Sequence, residues 1–271
     1  MILAPDQLGI EAYHKSAPSW LSKTSLMDFK RMGAPWWKMA YLDLSIQRPR
    51  PSGAEQGQAL DCYLTEGADV FGERYSVKPD GMSFTTKEGK EWRAAHDGKM
   101  LISQDDRLIL SDAVAAVRTL PCWPEIEKAQ AQMTVRRMSA GLGLGLQSRP
   151  DWLDRERGIV WDLKKTRDLD VFGRQAIDIG YHLQAAIASW CLAGDGIGVE
   201  HAYLVAVEWE RGARARVYEI PGEVLQYADR EMRAIAAEIA DRIKRQHWND
   251  RQLAPEGLPI PGWLLAKMEA A

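Results

Sequence analysis

Three short runs constrain this chain more than any other feature. IVWDLKKT at 159–166, AYLVAVEWE at 202–210 and ARVYEI at 215–220 are rich in β-branched and aromatic residues and have the length of strands. The last two are joined by an RGAR turn, as in a hairpin. Between the first two, 178–193 reads as a helix, and a long amphipathic helix runs from 221 to about 246. Helices come first, then strands with an embedded helix, then a hairpin and a final helix. That order predicts an α/β or α+β chain with a central mixed β-sheet flanked by helices.

The 271 residues suffice for a sizeable core. A single domain over 1–271 is expected, with a mainly helical part at 1–125 and the sheet core and last helix at 126–271. Ser22 or Thr24 can cap a helix over 25–44, which Pro35 interrupts. RPRPSG at 48–53 reads as a linker. Helices are expected at 55–66, 88–97 and 104–118, and weak alternation over 70–90 ends in a TTKEGK turn. MTVRRMS and GLGLGLQSR, after 130, read as two extended segments.

Apolar residues make up 46% and charged residues 27%, a globular composition. No run of 18 apolar residues is present, so no membrane span is expected. The opening residues lack a charged start followed by an apolar core, so no secretory leader is expected either. Three well-separated cysteines rule out a disulfide scaffold and suggest a reducing, cytoplasmic setting. A net charge of −3 gives no uniform attraction to nucleic acid, so binding would need a local basic patch. One candidate is 23–50, where Lys23, Lys30, Arg31, Lys38, Arg48 and Arg50 stand against Asp28 and Asp43. It reads equally as a solvated face or a phosphate-facing surface.

Several familiar chemistries are excluded. GLGLGL lacks the Gly-Lys-Ser/Thr ending of a phosphate loop and sits in a strand, which also rules out a dinucleotide fingerprint. G-x-S-x-G, H-E-x-x-H and C-x-x-C motifs are missing, and the five histidines show no metal-ligand spacing.

RPDWLDRERGIVWDLKKT at 149–166 is different. Asp162 and Lys164 are two apart in a strand and share a face. A turn at 154–158 would bring Asp151 alongside Asp162. Two carboxylates and an ammonium would then meet at one sheet edge. A hard cation such as magnesium takes one or two carboxylates plus a phosphate. Asp151 and Asp162 could supply oxygens, with the Leu163 carbonyl as a third donor. Lys164 could position a water or offset developing charge. The alternative is a plain surface ion pair between Asp162 and Lys164.

Tyr181 and Gln184, in GYHLQAA, lie three apart on one helical face. With them, 149–186 resembles the core of the PD-(D/E)xK nuclease superfamily, most closely the RecE-like, exonuclease VIII type of phage and prophage exodeoxyribonuclease. SKTSLMDFKRMGAPWWKMAYLD at 22–43, EQGQALDCYLTEG at 55–67 and TTKEGKEWRAAHDGKMLISQDD at 85–106 resemble stretches of that family in the same order. So do VAVEWE at 205–210 and KRQHWND at 244–250.

The resemblance implies a magnesium- or manganese-dependent enzyme. It would degrade one strand of linear duplex DNA from the 5′ end and leave a 3′ single-stranded tail. It also implies a homo-oligomeric ring and a single-strand annealing recombinase as partner, in a bacterial host cell and phage or prophage encoded. Asp151 and Asp162 would bind metal, Lys164 would serve catalysis, and Tyr181 and Gln184 would hold the water network or DNA backbone. The DNA-facing cations would be Lys23, Lys30, Arg31, Lys38, Arg149 and Lys165.

Two positions depart from the family pattern. Asp61 stands where the family has histidine, and it could still ligate metal. Gln132 stands nearest to an expected upstream glutamate, for which Glu125 or Glu127 could substitute. These departures keep open an inactive DNA-end-binding protein. A nuclease acting on single-stranded or flap DNA is the other alternative.

Overall fold

The computed structural model describes residues 1–49, 53–249, 260–261 and 267–268. The chain begins with β1 (Ile2–Leu3), α1 (Ile10–His14), β2 (Trp20–Leu21) and α2 (Lys23–Tyr41). α3 (Ala54–Asp61) runs through a wider π-type turn, Cys62–Glu66, towards α4 (Ala68–Arg74). β3 (Tyr75–Val77), α5 (Lys87–Ala95), β4 (Met100–Ile102), α6 (Gln104–Arg118) and α7 (Trp123–Ile126) complete the first half. The second half holds β5 (Gln130–Ala131), β6 (Thr134–Ser139), β7 (Leu144–Ser148), β8 (Trp152–Asp154) and β9 (Ile159–Thr166). It ends with α8 (Leu169–Ile179), α9 (Tyr181–Ala193), β10 (His201–Glu208), β11 (Ala215–Glu219) and α10 (Gly222–Arg245).

The mixed sheet has the order β11-β10-β9-β8-β5. β9 and β10 are parallel, with Asp162 opposite Leu204, because α8 and α9 carry the chain back between them. β10 and β11 are the expected hairpin. A second sheet, β1-β6-β7-β2, joins the first through the short Arg149–Asp151 corner between β7 and β8. β3 and β4 form a separate parallel pair.

Alternation along β9 divides the core. Val160 packs with Leu183, Ile187, Leu204 and Met232, on the side of α2, α9 and α10. Trp161 and Leu163 pack with Leu60, Leu110, Val114 and Val207, on the side of α3 and α6. Asp162 and Lys164 replace apolar residues on the first side, facing α9.

Several expected boundaries shift for identifiable reasons. α2 is capped by Ser22, whose Oγ accepts from Ser25 N–H at 3.4 Å while its own N–H donates to Ser25 Oγ at 2.8 Å. Such a reciprocal cap contributes about 1 kcal/mol. The interruption falls at Gly33, with φ 82° and ψ 167°, and Pro35 sits in the first turn of the following segment, where its ring is tolerated. The helix expected at 178–193 is α9, which starts at Tyr181, and Gly180 separates it from α8. Gly180 adopts φ 83°, and a Cβ there would lie 2.7 Å from Met27 Sδ. Only glycine meets both conditions. In the Gly-Leu run, 140–143 is turn and the strand starts at Leu144. Weak alternation over 70–90 conceals the end of α4 and the short β3. Of the linker at 48–53, 50–52 lie outside the described residues, as does Asp250. Among the described residues, no helix is long and apolar enough to cross a membrane.

Candidate active site

The turn between β8 and β9 pairs Trp152 with Trp161, which sets Asp151 beside Asp162 one residue further along. Beyond Asp151, β9 has no backbone partner on that edge among the described residues. The Asp151 carboxylate takes that place, accepting the Leu163 N–H on Oδ2 and the Gln132 amide on Oδ1 at 3.2 Å. Asp162 Oδ1 accepts from Gln184 Nε2 at 2.7 Å, and Oδ2 forms an ion pair with Lys164. Tyr181, one turn before Gln184 on α9, lies 4.8 Å from the Lys164 ammonium and 4.9 Å from that of Lys23, measured to its ring centre. The expected five residues therefore meet, at the end of α9 that Gly180 aims.

Gln132 is the hub that holds the acids in register. Its Nε2 also donates to Asp61 Oδ1 at 2.8 Å, and its Oε1 accepts from Arg149 Nε at 2.9 Å. It sits at φ 54°, a left-handed conformation that costs a non-glycine residue on the order of 1 kcal/mol. Its backbone N–H reaches the Asp151 carbonyl at 2.9 Å. A glutamate here could accept from Arg149 but could donate to neither aspartate. Neither Glu125 nor Glu127 substitutes for it. Glu125 pairs with Arg157 at 2.6 Å and Glu127 is exposed. Glu66 is held by Arg74 at 2.6 and 2.8 Å.

The electrostatics are those of crowded acid. Burial pushes the Asp61 carboxyl up to about 6, partly offset by a hydrogen bond shared with Asp151. Burial, then the charges of Asp61 and Asp162, hold Asp151 well above the ordinary carboxylate range. Burial alone would lower Lys164, but Asp162 and Asp151 outweigh it and keep the ammonium above its usual value. Lys23 goes the other way. Burial and the Lys164 charge bring it down to about 8.

These donors fit a hard divalent cation. Asp151 and Asp162 keep lone pairs beyond those already engaged. Leu163 turns its N–H towards Asp151, and in a strand the carbonyl of a residue lies on the same edge. Among the described residues, no three His, Cys, Asp or Glu groups converge as a metal cluster. The fit is thus to two carboxylates and a carbonyl, with Asp61 tied to Gln132 and lining the same cavity as Asp151.

A cavity of about 310 Å³ opens onto Asp61, Asp151, Lys164 and Gln184. Of the cations expected to face DNA, Lys23 and Arg149 line it. Lys30, Arg31 and Lys38 do not. They bind Glu231, the Asp178 carbonyl and Asp43. Lys165 projects from the opposite face of β9, to Gln56 Oε1 at 2.8 Å. Sequence reasoning placed Arg48 only within a basic stretch, and it lines the cavity. It missed Tyr13, His14 and Gln147 there. No pattern links residues 13 and 147 in sequence, and only the sheet brings them together.

No family model and no curated protein matches the chain. Among solved structures, the fold is similar to that of a "putative exonuclease" from Eubacterium rectale. The TM-score is 0.63 and the identity 15%, over 97% of this chain and 98% of that one. A phage related exonuclease from Haemophilus somnus 129PT aligns over 84% of this chain and 96% of that one, at 13% identity and TM-score 0.34. The second likeness is too slight to bear on the argument. The first is a likeness of fold, and it agrees with a mixed α/β architecture.

Proposed function

We propose that this protein is a metal-dependent exodeoxyribonuclease. The observation that carries the reading is the meeting of Asp151, Asp162 and Lys164 where β8 and β9 part, beneath Tyr181 and Gln184. Magnesium or manganese would be held by Asp151, Asp162 and the Leu163 carbonyl. When bound, such an ion polarises a phosphate and lowers the pKa of water.

The chain's own groups do the rest. Lys164 remains charged and faces the phosphate that enters the cavity, where it offsets charge growing on the phosphoryl oxygens. Gln184 fixes the rotamer of Asp162, and Gln132 does so for Asp151. Lys23 and Arg149 supply a positive wall for the incoming backbone. The finer reading rests on the sequence resemblance. It comprises the RecE-like type, attack from the 5′ end, 3′ tails for phage-type recombination, a ring, an annealing partner and a cytoplasmic site of action.

Linear duplex DNA with asymmetric end labels, incubated with magnesium, with EDTA, and with the Lys164→Ala variant, tests the reaction, polarity and site together. Metal-dependent loss of the 5′-labelled strand, absent in the variant, is expected. Light scattering tests the ring, and a monomer in solution removes it. The second reading is a DNA-end binder that does not cut. It is favoured by one observation, that hydrogen bonds already engage three of the four oxygens of Asp151 and Asp162 and the fourth is ion-paired with Lys164. A gel shift without cleavage would select it.

A further inference from the structure

Residues 4–19 leave the second sheet at one edge and rejoin it at the other. β1 pairs with β6, β2 pairs with β7, and β6 and β7 lie between them. Strands stand roughly 4.8 Å apart, so the connection spans about 14 Å of sheet. It crosses over one face. Arg136 and Gln147 are cross-strand partners whose side chains rise from that face, and both hold the strap. Gln147 Nε2 donates to the Tyr13 carbonyl at 3.0 Å, and Arg136 Nη2 donates to Ser16 Oγ. Arg149 Nη1 adds a bond to the Leu8 carbonyl at 3.1 Å. No residue of α1 is buried, so the strap has no core of its own.

The cavity of about 310 Å³ lies between this strap and the acids. Ile10, Tyr13 and His14 line one wall, and Asp61, Asp151 and Lys164 line another. Its volume is at the small end for ligand sites, which run from about 300 to 1,000 Å³. That is room for a single nucleotide unit and not for stacked base pairs. The polar wall suits a phosphodiester, and Tyr13 and His14 offer ring faces to a base.

We infer that the strap restricts the site to strands with a free end. One strand reaches Asp151 and Lys164 by threading beneath residues 4–19 while its complement stays outside, and a covalently closed strand cannot enter. The inference rests on the proposed exonuclease reading and assigns its need for a free end to residues 4–19. It places the exonucleolytic choice in this monomer rather than in any ring.

The strap can be opened without touching the site. Gly9 is exposed, a Cβ there meets nothing within 4 Å, and it does not line the cavity. A specific protease sequence inserted at Gly9 gives one protein in intact and cut forms. Both forms are offered the same single-stranded DNA, linear and circular, with magnesium. The intact form should degrade the linear strand at least about a hundredfold faster than the circle. Cutting should narrow that ratio about tenfold or more, as expected when a weakly packed segment opens.

Equal attack on circle and linear strand by the intact form overturns the strap's role while leaving the nuclease in place. A preference for the linear strand that survives cutting also overturns it. Failure to cut either single strand or linear duplex DNA overturns the nuclease reading instead. The strap is then judged by anisotropy with labelled linear and circular strands. Binding confined to the linear strand upholds it, and equal binding or none overturns it.

Discussion

Glu208 and Asp151 are both acids brought inside the protein, at positions on the same sheet, and they are handled in opposite ways. Glu208, at the end of β10, is 1% exposed. Arg214 clasps both of its oxygens, and the N–H groups of Leu169 and Arg214 add bonds at 3.2 and 3.3 Å. The Arg214 bonds hold its carboxyl below the ordinary range. Asp151 has an arginine nearby as well, but Arg149 gives its bond to Gln132, and Asp151 receives only amide donors. Its proton affinity rises. Burial of an acid is therefore no mark of function by itself. The mark is an acid whose available cation is turned elsewhere, so that its charge is left for something yet to arrive.

If that contrast is right, the two regions respond differently to substitution. Lys164→Ala should lower DNA cleavage on the order of a thousandfold, measured by single-turnover digestion, because it removes the cation nearest the acids. Glu208→Ala should instead cost about 2–3 kcal/mol in urea unfolding, since the buried Leu169 N–H, the Arg214 N–H and the Arg214 guanidinium lose their acceptor. Cleavage per folded molecule should not change.

Asp61→Asn should stabilise the metal-free protein at pH 7 by on the order of 2 kcal/mol. The sign follows from the raised carboxyl. Between the ordinary value of 3.8 and about 6, the folded protein holds a proton that the unfolded chain has released. The wild-type contribution is thus favourable at low pH and is lost as pH rises through about 6. The gain from Asp61→Asn should be near zero at pH 4 and grow to pH 7. Taking the difference between the two proteins cancels His182, which burial shifts downward and which destabilises the fold as pH falls below its ordinary 6.5. Glu208, with its depressed carboxyl, stabilises above its ordinary 4.5, and that contribution fades as pH falls through its lowered value.

Magnesium should raise the melting midpoint of the wild type by the equivalent of about 1.4 kcal/mol at ten times its dissociation constant. The Asp162→Asn variant should show little of this. Smallest of all, Thr86→Ala should cost about 1 kcal/mol by uncapping α5, far from both acids, and leave cleavage untouched.

Legibility in the sequence followed contact distance along the chain. β9 was expected at 159–166 and α6 at 104–118, and both carry those bounds, because their patterns are local and strong. The Asp151, Asp162 and Lys164 constellation was legible for the same reason, since one hairpin turn creates it. α8 went unread because its buried Leu169, Phe172 and Ala176 are diluted by Gly173 and charges. β1 and β2 are two residues each and exist only because β6 and β7 offer edges. Trp37 is held by packing that only the fold creates. Trp37 is fully buried, its Nε1 donates to the Ser25 carbonyl at 2.9 Å, and it stacks on Tyr41 and Trp248. The role of Gln132 as a donor to two acids could not be read from a position that looked only like a missing carboxylate.

The left-handed residue between α8 and α9 has a consequence for how the molecule tolerates change. In one continuous helix, losing a residue upstream would rotate everything beyond it by about 100° relative to the sheet. Tyr181 and Gln184 would then swing off Asp162. Gly180 acts as a coupling that passes the chain on without passing on its rotation. α8 is free to lengthen, shorten or drift in register through successive generations, while the two side chains above the acids stay on their bearing.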